Sequence, residues 1–398
     1  MSKSKKILMV MPVMKGGGAE RVASLLLNEF ALSGYNCEFL LTSSDRNDII
    51  NRDLNSDITV SSIFENQKKK SIFIRAAERF SSVLCKPFEM LNLRVPACFA
   101  RLSFVTQYYN EIKNLKEKLL KEPDAVVISF LQPSVPMTLI AAKNLPNRVI
   151  VSERGNPERL LKKRYGYNFI KKYYQRADAV VFQTNDAKSA YPENISKKGT
   201  VIFNPVNNKL PEPYFGERKK YITTFCRISP EKNLIMLADA FASFVDEYKD
   251  YRLKIIGDAI NSAEKETLKN LKKHISELGI NEKVEFIPFS NEVHKLIIKD
   301  AAYVNSSDHE GMSNAMLEAM AIGMPVICTD CPIGGANAVI QSGKNGILTE
   351  VGNANEMCEA MKKIANDKEF ADELSRNAAK IRYDLSLENT AKKWMELL

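Results

Sequence analysis

The first half of the chain alternates short, continuous apolar runs with stretches whose apolar residues follow helical spacing. Residues 7–11 form such a run, and three consecutive glycines separate it from a helical stripe that ends near Gly34. Residues 38–41 form the next run, which predicts a strand, a helix and a second, parallel strand. Further strands of this doubly wound first domain are predicted at residues 125–129, 149–151 and 179–182.

The second half repeats this alternation after residues 206–219, a segment with two prolines and no periodicity that predicts a linker. The predicted fold is α/β, with two Rossmann-like domains that each hold a doubly wound parallel sheet and face each other across a cleft. The expected bounds are residues 1–205 and 206–385, and the amphipathic residues 386–398 could pack back onto the first domain. The second sheet is predicted from apolar runs at residues 222–225, 253–256, 284–287, 302–305 and 326–328.

Composition fits two domains and adds a charge asymmetry. A chain of 398 residues exceeds what one core usually holds, and 45% hydrophobic with 26% charged residues is ordinary for a globular protein. No apolar run reaches the about 18 residues that a membrane span needs, so we expect a cytoplasmic protein. Residues 1–210 carry 33 basic against 19 acidic side chains, whereas residues 211–398 carry 24 against 29. The basic first half predicts an anionic partner, either a membrane surface or nucleic acid.

The glycine run Gly16, Gly17 and Gly18 lies between a predicted strand and a predicted helix. Missing Cβ atoms and free helix amides at such a place suit a phosphate group. Dinucleotide binding fits poorly, because Arg21 stands where the third glycine of that motif is needed. A P-loop is excluded because no Gly-Lys-Ser/Thr follows. The remaining alternative is a simple tight turn.

Two cations lie at the next predicted strand-to-helix turn. Arg227 and Lys232 flank a predicted helix start, with Ser229 as its expected N-cap and Pro230 at its first position. Two cations beside free helix amides favour a diphosphate, since Arg grips two oxygens and Lys acts as a point charge. The alternative is a pair of solvated surface charges.

Residues 307–325 contain two glutamates around a predicted helix start near Ser313. The helix is apolar on every side except at Glu318 until Gly323 ends it, so this carboxylate is predicted to be buried and to need a partner. The hydroxyls of a ligand would serve, and the alternative is a structural Arg or Lys. Glu310 in the preceding loop can accept hydrogen bonds from a second polyol. One ligand with two polyols and a central diphosphate is a nucleotide sugar.

Together these motifs resemble the family 4 glycosyltransferases of GT-B fold over almost the whole chain. The resemblance implies a retaining, metal-independent sugar transfer, and the chain has no D-x-D motif that would predict a metal. No further cofactor is implied. The matching segments are residues 17–21, Asn204-Pro205, residues 227–233, Gly257-Asp258, the glutamates Glu310 and Glu318 with seven residues between them, residues 331–335 and residues 343–348.

The resemblance also implies a role for each matching residue. Arg227 and Lys232 would hold the donor diphosphate, and charge stabilisation of that leaving group would be the main catalytic effect. Glu318 would bind the ribose hydroxyls and Glu310 the transferred sugar. The glycine loop would close on the diphosphate and the acceptor. The remaining donor contacts would come from Gly257, Phe289 and the backbone of Gly311, Met312, Ser313 and Asn314.

Two segments depart from the family pattern. Many relatives have a His after Ser-Glu in the first domain, whereas Ser152-Glu153 here precedes Arg154. Arg154 would then contact the sugar or phosphate, or its segment would position the acceptor. Pro288-Phe289 stands where relatives often have Gly before the base-binding loop, which leaves the base less defined, although UDP is favoured.

The basic first half predicts a surface for the acceptor. Residues 159–176 combine many Lys and Arg residues with tyrosines and Phe169 and contain no acid, a composition typical of a membrane interface. Residues 68–121 add a basic amphipathic stretch with Phe73, Phe80 and Phe88. We therefore expect a lipid-linked glycan acceptor at the inner face of the cytoplasmic membrane. The alternatives for this surface are a solvated cationic face and a nucleic-acid site, although the sequence contains no recognition module for nucleic acid. The alternative for the function is a membrane-associated protein that binds the nucleotide sugar without turnover.

Overall fold

The computed structural model describes residues 5–14, 17–42, 53–63, 70–91, 93, 95–154, 157 and 172–398. The chain folds into two compact units. The N-terminal unit comprises residues 1–203 together with residues 387–398, and the C-terminal unit comprises residues 204–386.

The N-terminal unit is built on a parallel sheet of seven described strands in the order β3-β2-β1-β4-β5-β6-β7. The strands are β1 (Lys6–Met11), β2 (Asn36–Leu41), β3 (Thr59–Ser62), β4 (Val126–Phe130), β5 (Val149–Ser152), β6 (Ala179–Phe182) and β7 (Gly199–Val201). Its described helices are α1 (Gly18–Leu32), α2 (Ile72–Met90), α3 (Ala97–Gln107), α4 (Tyr109–Lys121), α5 (Ser134–Ala141), α6 (Asn185–Ser189) and α7 (Glu193–Ser196).

The C-terminal unit has a six-stranded parallel sheet in the order β10-β9-β8-β11-β12-β13. Its strands are β8 (Lys219–Phe225), β9 (Arg252–Ile256), β10 (Val284–Ile287), β11 (Asp300–Asn305), β12 (Val326–Thr329) and β13 (Ile347–Thr349). Its helices are α8 (Leu234–Glu247), α9 (Ser262–Glu277), α10 (Val293–Ile297), α11 (Asn314–Ala321), α12 (Ala336–Val339), α13 (Ala354–Asn366), α14 (Lys368–Ala379) and α15 (Ile381–Asp384).

The predicted α/β fold with doubly wound parallel sheets is confirmed, and the predicted strands lie within three residues of the observed ones. The sequence missed β3, β7 and β13, each of which has no more than four residues and contains partly or fully exposed positions. Strands at the edge of a parallel sheet lose the continuous apolar pattern that marks the buried ones.

The last helix, α16 (Leu387–Met395), packs against α1 within the N-terminal unit. Trp394 on α16 is fully buried in the core beneath this sheet, and its ring lies 5.6 Å from that of Phe130. The amphipathic pattern of residues 386–398 thus corresponds to a helix whose apolar face belongs to this core.

Candidate functional site

The strand order of the C-terminal unit reverses between β8 and β11, which are hydrogen-bonded neighbours. Open parallel sheets bind ligands beyond the carboxyl ends of their strands at such a switch point. The loops that follow these two strands are joined there. The Asp308 amide donates to the Glu231 carbonyl at 2.9 Å, and the Asn233 side-chain amide donates to Asp308 at 2.7 Å.

Lys232 and Glu310 meet at this switch point. The Lys232 Nζ forms an ion pair with Glu310 Oε2, and Ser307 Oγ lies 3.3 Å from the same oxygen. Burial lowers the pKa of Lys232, but the negative charge of Glu310 more than offsets it and leaves that pKa raised above 10.5. The ammonium is therefore charged at neutral pH, and the pair presents one cation and one acceptor to a ligand.

Arg227 is more exposed than Lys232, the other cation predicted to bind the diphosphate, with about 60% of its side chain open to solvent. Its guanidinium lies 3.4 Å from Glu231 and 3.8 Å from Glu264. Ser229 lies at the N-cap position and Pro230 at the first position, as predicted, but the element they begin is a short 3-10 helix of residues 230–232 and the Ser229 side chain accepts no capping hydrogen bond. Asn233 in the left-handed conformation caps α8 instead, accepting from the Met236 amide at 3.2 Å.

The loop before α11 is held by contacts from distant parts of the chain. The Gly335 amide donates to the Gly311 carbonyl at 2.7 Å, while the buried Asn204 side chain donates to the Met312 carbonyl at 3.1 Å and to Asn314 at 2.6 Å. Ser313 caps α11 by accepting from Met316 at 3.3 Å. The predicted helix start is therefore confirmed, and Asn204 is a contributor whose contact the sequence did not reveal.

Glu318 is buried on α11, as its apolar surroundings predicted. One of its partners is His294 on α10, whose Nε2 lies 2.8 Å from Glu318 Oε2. No local signal in the sequence pairs these two residues, because they lie 24 positions apart on different helices.

Gly257 and Phe289 lie at the carboxyl ends of β9 and β10. Gly257 has φ +150°, and a Cβ there would lie 1.9 Å from the Cys226 carbonyl oxygen. Only glycine fits this close approach of two loops. The Phe289 ring is about half exposed, and its amide donates to the Asp258 carboxylate at 3.2 Å.

In the N-terminal unit, Gly17 is the N-cap position of α1, Gly18 begins that helix, and Gly16 lies outside the described residues. Glu20 folds back over this helix start, since a Cβ on Gly17 would lie 2.1 Å from its carboxylate. Arg21 pairs with Asp53 at 3.1 Å. The carboxylate of Glu20 thus already lies beside the amides that were predicted to attract phosphate.

Arg154 follows β5 at the carboxyl edge of the N-terminal sheet. Its guanidinium carbon lies 4.5 Å from the centre of the Phe130 ring and 5.7 Å from that of Trp394. Burial lowers its pKa to about 9. Beside it, Tyr174 donates to the buried carboxylate of Glu153.

Most of the basic segment of residues 159–176 lies outside the described residues, including Phe169. Of its described part, Lys172 is exposed, whereas Tyr173 and Tyr174 are fully buried in the core. These two tyrosines therefore do not belong to a surface, which corrects that part of the membrane prediction. Among the described residues, no helix is both long and apolar enough to cross a bilayer.

The family model described as "Glycosyl transferases group 1" matches residues 207–381, nearly the whole C-terminal unit. Residues 207–381 are thus similar to the group 1 glycosyl transferases, and the match covers less than half of the chain. An uncharacterized glycosyltransferase of Haemophilus influenzae is 24% identical to this chain over 407 residues, covering 99% of this chain and 100% of that protein. These findings support a glycosyltransferase that acts in glycan biosynthesis.

Two further comparisons are with a relative whose name includes its substrate and with a solved structure of similar fold. A Campylobacter jejuni protein named N-acetylgalactosamine-N,N'-diacetylbacillosaminyl-diphospho-undecaprenol 4-alpha-N-acetylgalactosaminyltransferase is 26% identical over 248 residues, covering 59% of this chain and 65% of that protein. The crystal structure of Anabaena HepE in complex with UDP and glucose superposes with a TM-score of 0.74 at 17% identity, covering 98% of each chain. The fold of this chain is GT-B.

Proposed function

We propose that this glycosyltransferase moves a sugar from a UDP-sugar to a lipid-linked glycan, with retention of the anomeric configuration and without a metal ion. The observation that carries the proposal is the junction of Lys232, Glu310 and the loop before α11 at the switch point between β8 and β11. A cation, a carboxylate and a helix N-terminus within one site suit a ligand that joins a diphosphate to a sugar.

The donor would be held by three groups of contacts. Lys232 and the exposed Arg227 would neutralise the diphosphate, and the amides of residues 311–314 at the start of α11 would add oriented donors. Glu318, oriented by His294, would accept from the ribose hydroxyls. Gly257 and Phe289 would line the side of the base.

Charge accounts for how these residues would promote transfer. When the bond from the sugar to the diphosphate breaks, negative charge grows on the leaving oxygens, and preorganised cations stabilise that state more than the bound donor. Lys232 would shift part of its pairing from Glu310 to the diphosphate, which leaves Glu310 able to accept from the sugar hydroxyls. Glu310, Arg227 and Lys232 would therefore act directly on the reacting group.

The acceptor would bind the N-terminal unit, near the α1 start at Gly17 and Gly18 and near Arg154. A lipid-linked acceptor is supported by the undecaprenol substrate in the name of the Campylobacter relative and by the net positive charge of the first 210 residues. The same features support peripheral association with the inner face of the cytoplasmic membrane.

The test is transfer of radiolabel from UDP- and GDP-sugars to a bacterial membrane lipid extract in detergent, with Glu310→Gln as the paired control. We expect label from a UDP-sugar to enter the organic phase and the variant to lose it. NMR of the product would show the donor's anomeric configuration if transfer is retaining, and activity in excess EDTA would support metal independence. Tight UDP binding without transfer from any donor would instead favour the binding protein without turnover.

A further inference from the structure

The face of α2 that points away from its own unit is apolar along its whole length. Its stripe includes Phe73, Phe80, Val83 and Met90, whose side chains are 84%, 61%, 60% and 85% exposed. The positions 73, 76, 80, 83, 87 and 90 follow the spacing of one helix face, and all six are exposed. Single exposed apolar residues are ordinary, but a continuous stripe of this length on one helix marks an interaction surface.

This stripe is separate from the face by which α2 packs. Ser81 and Cys85 are buried, and the Ser81 hydroxyl lies 3.2 Å from that of Thr106 on α3. The rings of Phe88 and Phe99 pack 6.2 Å apart between the same two helices. The helix thus already has a core-facing side, and its exposed stripe is additional to it.

The basic and acidic side chains of α2 also lie on different sides of the helix. Arg75, Arg79 and Lys86 are exposed and follow helical spacing along one edge of the stripe. Glu78 lies on the far side of these cations and pairs with Lys70 at 2.8 Å. The apolar stripe therefore has a cationic border without an acid inside it.

The stripe extends beyond the helix end. Leu91 and Leu93 in the following turn are 69% and 57% exposed, and Leu102 on α3 is 39% exposed. An apolar face bordered by cations is the arrangement of a helix that lies in the plane of a membrane interface, with its apolar side among the acyl chains and its cations at the headgroups.

We propose that α2 docks this unit on an anionic lipid bilayer, with Phe73, Phe80 and Met90 inserted and Arg75, Arg79 and Lys86 at the headgroup phosphates. A second copy of this chain fits the face less well, because a twofold pair would bring the same cations of both copies into one interface. This assigns the proposed membrane contact to α2. It rests on the proposed function in one respect, which is that the lipid-linked acceptor lies in the same membrane.

The test is flotation of the full chain with vesicles of phosphatidylglycerol and phosphatidylethanolamine, and with phosphatidylcholine alone. We expect Phe73→Ser, Phe80→Ser and Met90→Ser together to weaken vesicle binding at least tenfold. Arg75→Gln, Arg79→Gln and Lys86→Gln should weaken it about fivefold per cation on the anionic vesicles only. The matched control removes three exposed apolar residues elsewhere, Leu32, Leu120 and Ile260, and should bind as the unchanged protein does.

Unchanged binding of the α2 triple variant to anionic vesicles would overturn the proposal, as would a control variant that loses binding equally. A dimer in light scattering that the α2 variant converts to monomer, with vesicle binding unchanged, would assign the face to a second copy instead. Transfer to acceptor in detergent separates this inference from the proposed function. The α2 variant should keep that transfer, whereas failure of the proposed function would appear as no transfer by the unchanged protein.

Discussion

His294 Nε2 lies 2.8 Å from Glu318 Oε2, and both side chains are buried in the C-terminal unit. The Phe225 ring also packs nearly perpendicular to the imidazole, with ring centres 5.7 Å apart. An imidazole packed in this way fixes the direction of a carboxylate that would otherwise rotate. We therefore regard His294 as a positioning residue for the proposed ribose contact of Glu318.

The first prediction concerns Glu318. Glu318→Gln should weaken UDP binding about 10- to 100-fold, because a hydrogen bond to a charged acceptor contributes about 1.5–3 kcal/mol. The measurement is calorimetry with UDP and with 2′,3′-dideoxy-UDP, which lacks the hydroxyls. The variant should lose affinity for UDP but not for the dideoxy analogue. An equal loss for both nucleotides would make the role of Glu318 structural.

His294 should affect the same contact more weakly. His294→Ala should raise the KM for the donor several-fold and leave kcat nearly unchanged, because the imidazole acts through Glu318 and not on the reacting atoms. His294→Gln retains a donor that can reach the carboxylate and should recover part of the loss. A fall in kcat without a change in KM would contradict the positioning role.

The second prediction concerns Lys232. Lys232→Ala should lower kcat about 10²- to 10³-fold, which is the usual cost of removing one preorganised group at a developing charge. Lys232→Arg keeps the charge and should retain more activity. Since Glu310 raises the pKa of Lys232 above 10.5, the ammonium stays charged as pH rises from 6 to 9, and the profile of kcat should show no alkaline loss from this group. Activity of the alanine variant within threefold of normal would exclude Lys232 from catalysis.

The third prediction concerns Asn204. Asn204→Ala removes two hydrogen bonds to the loop before α11, so it should destabilise the C-terminal unit by about 1–3 kcal/mol and lower donor turnover about tenfold. Faster amide hydrogen exchange at residues 311–314 should accompany both changes. Asn207→Ala is the matched control, because Asn207 is also buried but its side chain accepts from the Lys209 amide at 3.0 Å. Equal effects from both variants would refute a specific role in the loop.

The fourth prediction concerns pH and the N-terminal unit. Buried Glu38 lies 2.7 Å from Lys6 and from Lys118, and Ser61 donates to it. Burial raises the pKa of Glu38, but these hydrogen bonds and charges outweigh it and hold the pKa below 4.5. A lowered folded pKa contributes stability that is present above the unfolded value and is lost as pH falls through the folded value.

Glu38→Gln should therefore cost roughly 3 kcal/mol at pH 7, and this difference from the unchanged protein should shrink as pH falls below 4.5. Fluorescence of Trp394, the single tryptophan, reports unfolding of this unit because its side chain is fully buried there. Glu117→Gln removes an exposed pair with Lys113 and should cost little at any pH. A difference for Glu38→Gln that is constant with pH would contradict the ion-pair explanation.

Much of the fold could be predicted because its signals are local. Continuous apolar runs mark strands that are buried on both faces, and Gly34 and Gly323 end their helices with φ values of +89° and +75°. The short edge strands were missed because partial exposure removes that pattern. Ser229 was predicted to cap the helix because it precedes a proline, but a 3-10 turn of residues 230–232 intervenes, and α8 begins at Leu234 with Asn233 as its cap.

The residues that meet at the switch point could also be anticipated. Lys232 and Glu310 each follow a strand of one parallel sheet, and the carboxyl ends of neighbouring strands bring their loops together. The contacts of Asn204 with the loop before α11 could not be anticipated, because they join positions about a hundred residues apart and no short sequence pattern predicts such packing.

The α/β class, the strands inside both sheets and the kinds of side chain at the candidate site could be predicted from the sequence, because each depends on neighbours within one element. The structure was needed to show that His294 pairs with Glu318, that Tyr173 and Tyr174 are core residues, and that the apolar side of α2 stays exposed. These contacts could not be predicted because burial and pairing depend on which elements pack together. An amphipathic segment has the same sequence pattern whether its apolar face meets a core or a bilayer.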